Sequence, residues 1–159
     1  MKTLNVSFKE EQRINQWWLR LILLITLGVV LYSIYRFYQV DEQSTNDHLA
    51  FWPGVLIGLA AVALVWFWKL TTTIDNYGLQ IKCPFVNKKV KWDEIEKLEV
   101  LDYGFVGGWG VRIGTKYGTA YNTSGSKGMA IELKNKKKFL VGTQREDELK
   151  KIVEKWKNM

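Results

Sequence analysis

The chain has 159 residues, 23 Lys and Arg against 16 Asp and Glu, one Cys and one His, a length that as a prior corresponds to about one domain. A lone cysteine excludes an internal disulfide and any Cys-based zinc site, and a lone histidine excludes a histidine metal pair. The charge is unevenly spread, because residues 1–70 hold only 11 of the charged side chains, so the near-neutral mean hydropathy averages a membrane-like half and a soluble half.

Residues 1–16 are expected to be a polar, cytoplasmic N-terminal segment. The first apolar run, Trp17 to Tyr38, is interrupted by charge only at Arg20 and Arg36, whose long stems can lift their guanidinium groups toward headgroups. A cleavable signal peptide is not expected, since the exit Tyr35-Arg36-Phe37-Tyr38 lacks small residues. The second run, Leu49 to Trp68, contains 20 residues without a charge, enough to cross a hydrocarbon core of about 30 Å. The expectation is therefore two transmembrane helices, 17–38 and 49–69, joined by a short loop, 39–48.

Flanking residues orient this pair. Trp17, Trp18, Trp66, Phe67 and Trp68 form one aromatic belt, and Tyr32, Tyr35, Phe37, Tyr38, Phe51 and Trp52 form the other. The loop carries Asp41, Glu42 and Asp47 without Lys or Arg, whereas Lys9, Arg13, Arg20, Lys69 and Lys82 flank the opposite ends. The positive-inside rule then predicts a multi-pass protein of the cell membrane with an external loop and cytoplasmic termini. Gly54, Gly58 and Ala61 form a small-residue stripe, which predicts close helix packing, on the first helix near Gly28 or on a second copy of the chain.

From residue 70 the period changes to alternation, predicting about seven antiparallel strands. The runs are 71–75, 79–83, 88–92, 95–101, 109–113, 129–133 and 138–141, with about three further residues near 119–121. Leu79, Ile81, Val90, Trp92, Leu98, Val100, Met129, Ile131 and Leu133 fall on the buried side. Thr143 and Glu146 have the spacing of a capping box. Leu149, Ile152, Val153 and Trp156 then form one apolar stripe of a C-terminal helix, which is expected to cap a curved sheet or partial barrel.

The stretch TTTIDNYGLQIKCPFVNKKVKWDEIEKLEV, with its Gly78 turn, basic hairpin and Trp92-Asp93-Glu94-Ile95 step, resembles the front half of bacterial pleckstrin-homology-like (PH) domains. Two preceding membrane helices are similar to the plan of small membrane-anchored members of that group. The resemblance spans 71–157 by pattern. It implies a mainly-β domain acting as a binding or assembly scaffold without catalysis or cofactor. Phosphoinositide-binding PH domains place bases around the first hairpin loop, taken here as Asp75-Asn76-Tyr77-Gly78, which has one acid and no base.

The segment 104–128 is rich in glycine, but its GxGxxxG spacing and its Gly125-Ser126-Lys127 order do not match phosphate-binding loops. Its polar residues Arg112, Tyr121, Asn122, Ser126 and Lys127 are the candidate site for an anion or lipid headgroup, and ordinary sheet bends are the competing reading. The Asn122-Thr123-Ser124 sequon has no enzyme to read it on a cytoplasmic domain. Residues 71–159 carry 17 bases against 11 acids. Because this domain follows directly on a membrane helix, the basic excess points to anionic lipid rather than nucleic acid, with Lys136, Lys137, Lys138, Lys150 and Lys151 as surface contacts. Positive-inside bias accounts for the same lysines equally well. The sequence thus predicts a non-enzymatic membrane adaptor whose partners are membrane lipids and an unidentified membrane or cytoplasmic protein, self-association included. The alternative is a lipid or small-anion sensor using 104–128, and a membrane enzyme comes third.

Overall fold

The computed structural model describes residues 7–39 and 45–158, divided into a helical unit, 15–67, and a β unit assembled from 1–14 together with 68–159. The helical unit contains α1 (Trp17–Tyr38) and α2 (Thr45–Trp66). The β unit contains nine strands: β1 (Phe8–Arg13), β2 (Lys69–Ile74), β3 (Gly78–Cys83), β4 (Val86–Lys91), β5 (Ile95–Asp102), β6 (Gly110–Thr115), β7 (Gly118–Asn122), β8 (Lys127–Leu133) and β9 (Lys138–Gly142). A 3-10 turn, Trp92–Glu94, separates β4 from β5, and α3 (Glu146–Lys157) closes the chain.

Within the helical unit, the helices meet along positions spaced by threes and fours: Leu19, Leu23, Thr26, Val30, Ser33 and Phe37 on α1, and Phe51, Val55, Gly58, Val62 and Val65 on α2. This is the seam of left-handed antiparallel packing. At one end the Phe37 and Phe51 rings stack at 4.2 Å with His48 edge-on to Phe37 at 4.9 Å. Much of the surface outside the seam is apolar and exposed, with Ile25 58%, Val29 59%, Leu56 64% and Ile57 71% open. Among the described residues one helix, α1, is long and apolar enough to cross a bilayer, and the described apolar part of α2, Phe51–Trp66, is shorter.

The second helix departs from its expected bounds. It begins at Thr45, inside the expected loop, and ends at Trp66, while Lys69 already opens β2. Asp41 and Glu42 lie outside the described residues. The small-residue stripe also splits: Gly58 faces the seam with Val30 Cγ2 3.4 Å from where a Cβ would stand, whereas Gly54 has open space around it and Ala61 is exposed.

The β unit corrects the expected strand plan in three respects. The N-terminal segment supplies β1, which pairs antiparallel with β2 from Phe8↔Ile74 to Arg13↔Lys69. The strands form two sheets with no closed barrel: β1-β2-β3-β4 in order, and β5-β8-β9-β7-β6. The pairing of β7 with β9 is parallel. Gly118 permits it by taking φ +80° and because a Cβ there would fall 2.1 Å from the Lys138 carbonyl oxygen.

The core lies between the sheets and under α3. Leu70, Ile74, Leu79, Ile81 and Val90 of the first sheet meet Leu98, Met129, Ile131, Phe139 and Val141 of the second, and Leu149, Ile152 and Val153 of α3 complete the cluster. Trp156 packs at its margin, half-buried. Trp92, 1% exposed, joins the sheets and donates from Nε1 to the Asp75 carbonyl at 3.0 Å. Asp75 itself folds the β2–β3 turn, its Oδ1 accepting from the Tyr77 and Gly78 amides.

The expected capping box does not form. Arg145 precedes α3 without a side-chain cap. The Thr143 hydroxyl accepts from the Arg145 amide at 2.9 Å and donates to Glu10 Oε2 at 2.6 Å. Glu146 pairs instead with Lys150 at 2.8 Å. The helix takes Arg145 as its N-cap, two residues later than the box requires, and the Thr143 oxygen accepts from the Arg145 amide instead of the Glu146 amide.

Candidate functional site

Strand β1 turns Phe8, Glu10 and Gln12 inward and Lys9, Glu11 and Arg13 outward. Two of the inward side chains are polar, and both reach the second sheet. Glu10 accepts from the Thr143 hydroxyl and, at 2.8 Å, from the Gln144 amide. Gln12 donates to the Gly142 carbonyl at 2.8 Å and accepts from the Thr123 hydroxyl at 2.8 Å. Arg145 caps the arrangement by donating to the Lys9 carbonyl and lying 4.7 Å over the Phe8 ring. Buried polar groups satisfied in this manner rigidify and specify one arrangement. On the outer face of β1, Glu11 sits between Lys69 at 2.7 Å and Lys9 at 3.0 Å. Those ammonium groups, Lys69 first, hold its carboxyl down to about 2.

The glycine-rich segment is held at its ends, and between them β6 and β7 join the second sheet. The Tyr103 amide donates to the Ser126 carbonyl at 2.8 Å, and the Tyr103 hydroxyl donates to the Gly125 carbonyl at 3.0 Å. Burial pushes that hydroxyl's pKa up. Asp102 accepts from the Gly104 amide and pairs with Lys127 at 3.1 Å. The Gly104 amide, then Lys127 and Ser126, hold its carboxyl below the usual range. Beyond this anchor, Phe105 is 83% exposed.

The five candidate residues of this segment do not converge. Tyr121 points into the core between the sheets, where burial raises its phenol. Asn122 lies on the other face, its amide 3.4 Å from the Tyr103 hydroxyl, and its buried Oδ1 receives no donor among the described residues. Arg112 is exposed, with its guanidinium against Gly108, where a Cβ would stand 2.6 Å from Nη2. Ser126 and Lys127 serve Asp102, and Lys127 reaches Glu146 at 4.0 Å as well. The Lys127 charge is balanced within the protein, and the five residues do not share one anion site.

The surface lysines are similarly engaged. Lys136 pairs with Glu96 at 2.8 Å, Lys138 with Glu132 at 3.2 Å and Lys150 with Glu146, while Lys137 and Lys151 are exposed. Burial pushes the Cys83 thiol up, away from the reactive thiolate. Among the described residues no group of three or more metal-ligating side chains occurs. Open grooves on the sheet faces include one of about 240 Å³ beside Lys97, Lys116 and Lys138 and one of about 390 Å³ beside Tyr77, Lys89 and Lys91.

Sequence reasoning missed β1 as a structural member and with it the inward Glu10 and Gln12. Its signal was the alternation of Phe8, Glu10 and Gln12 with charged residues, concealed because two of the three inward residues are polar. Because β1 comes first, the loop 75–78 is the second connection of the β unit, and the first runs through the helices. No family model, curated protein or solved structure matches this chain.

Proposed function

We propose that the chain is an integral membrane protein in which a two-helix transmembrane hairpin carries a PH-like domain on the cytoplasmic surface as a non-catalytic adaptor or assembly module. The observation that carries this reading is the pairing of Arg13 with Lys69. The chain leaves the β unit and returns to it at adjacent registered positions, about 5 Å apart for paired strands, so a span by α1 requires a return span by α2. The helices' exposed faces of Leu, Ile and Val find in lipid the solvent they lack in water. Flanking Lys9, Arg13 and Lys69 assign that side to the cytoplasm by the positive-inside rule.

The PH-like reading draws on strand order. With the β6–β7 hairpin set aside, β1 to β4 form one meander, β5, β8 and β9 form a second, and α3 packs on β5 and β8. Seven strands in two sheets with a C-terminal helix is the plan that the resemblance implies. The helical pair then occupies the first hairpin connection, and β6–β7 is an addition at the open edge of the second sheet. An adaptor role is favoured over an anion sensor because the candidate cations of 104–128 are partnered or dispersed.

The test uses the full chain. Reporter fusions after Met159 and within 43–47 are expected to report cytoplasm and exterior respectively, and an external C-terminus overturns the reading. Crosslinking in native membranes followed by purification is expected to recover a stoichiometric protein partner or a second copy. Recovery of selectively enriched lipid alone favours the sensor instead.

A further inference from the structure

The strand register identifies one end of the first sheet. Arg13 and Lys69, where the chain departs toward and returns from the helices, pair with each other, Thr71 pairs with Lys82, and Cys83 with Val86. The β3–β4 turn, Pro84-Phe85, therefore projects from the same end of the sheet as these two points. Phe85 is 92% exposed and holds φ +65°. A two-residue turn with positive φ favours Gly or Asn, and water disfavours an uncovered phenyl ring, so neither backbone nor solvent accounts for phenylalanine here. A second exposed aromatic lies on the loop that leads to the neighbourhood of Trp68. Trp68, two residues past the end of α2, packs against Gly110, which would bring a Cβ within 3.4 Å of its ring. The loop leading to Gly110 carries Phe105, also nearly uncovered. Lys82, exposed three residues before Phe85, and Arg112, exposed with its guanidinium against Gly108 of the Phe105 loop, carry the charge that phosphate headgroups require. Tyr77, by contrast, is exposed on the β2–β3 turn at the opposite end of the sheet.

We propose that Phe85, with Phe105 as a second contact, is seated in the interfacial layer of the bilayer that holds the helices, so that the β unit rests on the membrane through aromatic anchors as well as through its covalent tethers. This rests on the transmembrane reading above and adds to it a lipid surface as the occupant of this apolar edge. Two residues of chain, about 7 Å when extended, separate the end of α2 from Trp68.

The full chain in nanodiscs of phosphatidylcholine and phosphatidylglycerol tests this. Spin labels are attached one at a time at positions 57, 77, 85 and 105, and relaxation by oxygen is compared with relaxation by a water-soluble nickel chelate. Cys83 is buried and stays unlabelled in the folded protein, and Cys83→Ala provides a second background. Near-UV circular dichroism confirms the fold of each variant. Labels at 85 and 105 are expected to favour oxygen as the helix label at 57 does, with 77 favouring nickel by several-fold. If 57 favours oxygen but 85 matches 77, the anchor proposal fails and the transmembrane reading stands. If 57 itself favours nickel, both fail. A label at 85 shielded from both agents means that protein covers this edge, which also overturns the proposal.

Discussion

Replacing Gln12 with leucine isolates the contribution of β1 to the β unit. Gln12 is 2% exposed and bonds Gly142 and Thr123 of the opposite sheet. Leucine approximates its volume but makes neither bond. Each of the two hydrogen bonds lost at a buried position costs about 1–3 kcal/mol, and the leucine side chain returns about 1 kcal/mol of apolar burial, leaving a net loss of about 1–5 kcal/mol. That is a substantial part of a domain stability of about 5–15 kcal/mol. The assay is urea unfolding of the detergent-solubilised full chain, followed by near-UV ellipticity, to which the buried Trp92 contributes. A cycle with Thr123→Val is expected to show coupling of about 1 kcal/mol. A loss below about 0.5 kcal/mol, the range of an unremarkable surface substitution, together with additive effects, refutes the view that β1 joins the two sheets.

Gly118→Ala forces a Cβ against the Lys138 carbonyl and is expected to disrupt the β7–β9 pairing, whereas Gly125→Ala, at φ +75° in open space, adds only the left-handed penalty of about 1–2 kcal/mol; thermal melts of the two variants should separate clearly. Trp92→Phe keeps an aromatic ring but deprives the Asp75 carbonyl of its donor, so a loss of about 1–3 kcal/mol is expected, and unchanged unfolding would remove Trp92 as the hinge between sheets. The Glu11 carboxyl is held near 2 from an ordinary 4.5, so its ion pairs favour the folded state fully above that ordinary value and are lost as pH falls toward 2. Acid titration of Glu11→Gln should flatten that part of the stability profile, most visibly at low salt, and an unaltered slope contradicts the assignment.

Local pattern made much of this fold legible. The α1 bounds follow from the apolar run between Trp17 and Tyr38, and Leu79, Ile81, Val90, Trp92, Leu98, Met129, Ile131 and Leu133 all proved buried, because alternation against a single core is a short-range signal. Strand β1 escaped because its inward Glu10 and Gln12 are polar and its partner lies beyond two helices. A fragment starting at residue 71 would therefore lack a whole strand and the buried Leu70. The capping box failed because α3 takes Arg145 rather than Thr143 as its N-cap, leaving the Thr143 hydroxyl to accept from the Arg145 amide and donate to Glu10. The candidate site of 104–128 was legible only as composition. Adjacent residues of a strand face opposite ways, and this separated Tyr121 from Asn122.

The placement of the helices between β1 and β2 also sets an order of events during synthesis. Arg13 waits for Lys69, 56 positions later in the sequence, which at about 5–20 residues per second is about 3–11 s. In the proposed topology that interval contains membrane insertion of both helices. If α2 stays on the far side, β2 never meets β1, and the sheet is left with a bare edge of the type that invites aggregation and proteolysis. In that topology, only chains with both helices threaded would complete the first sheet.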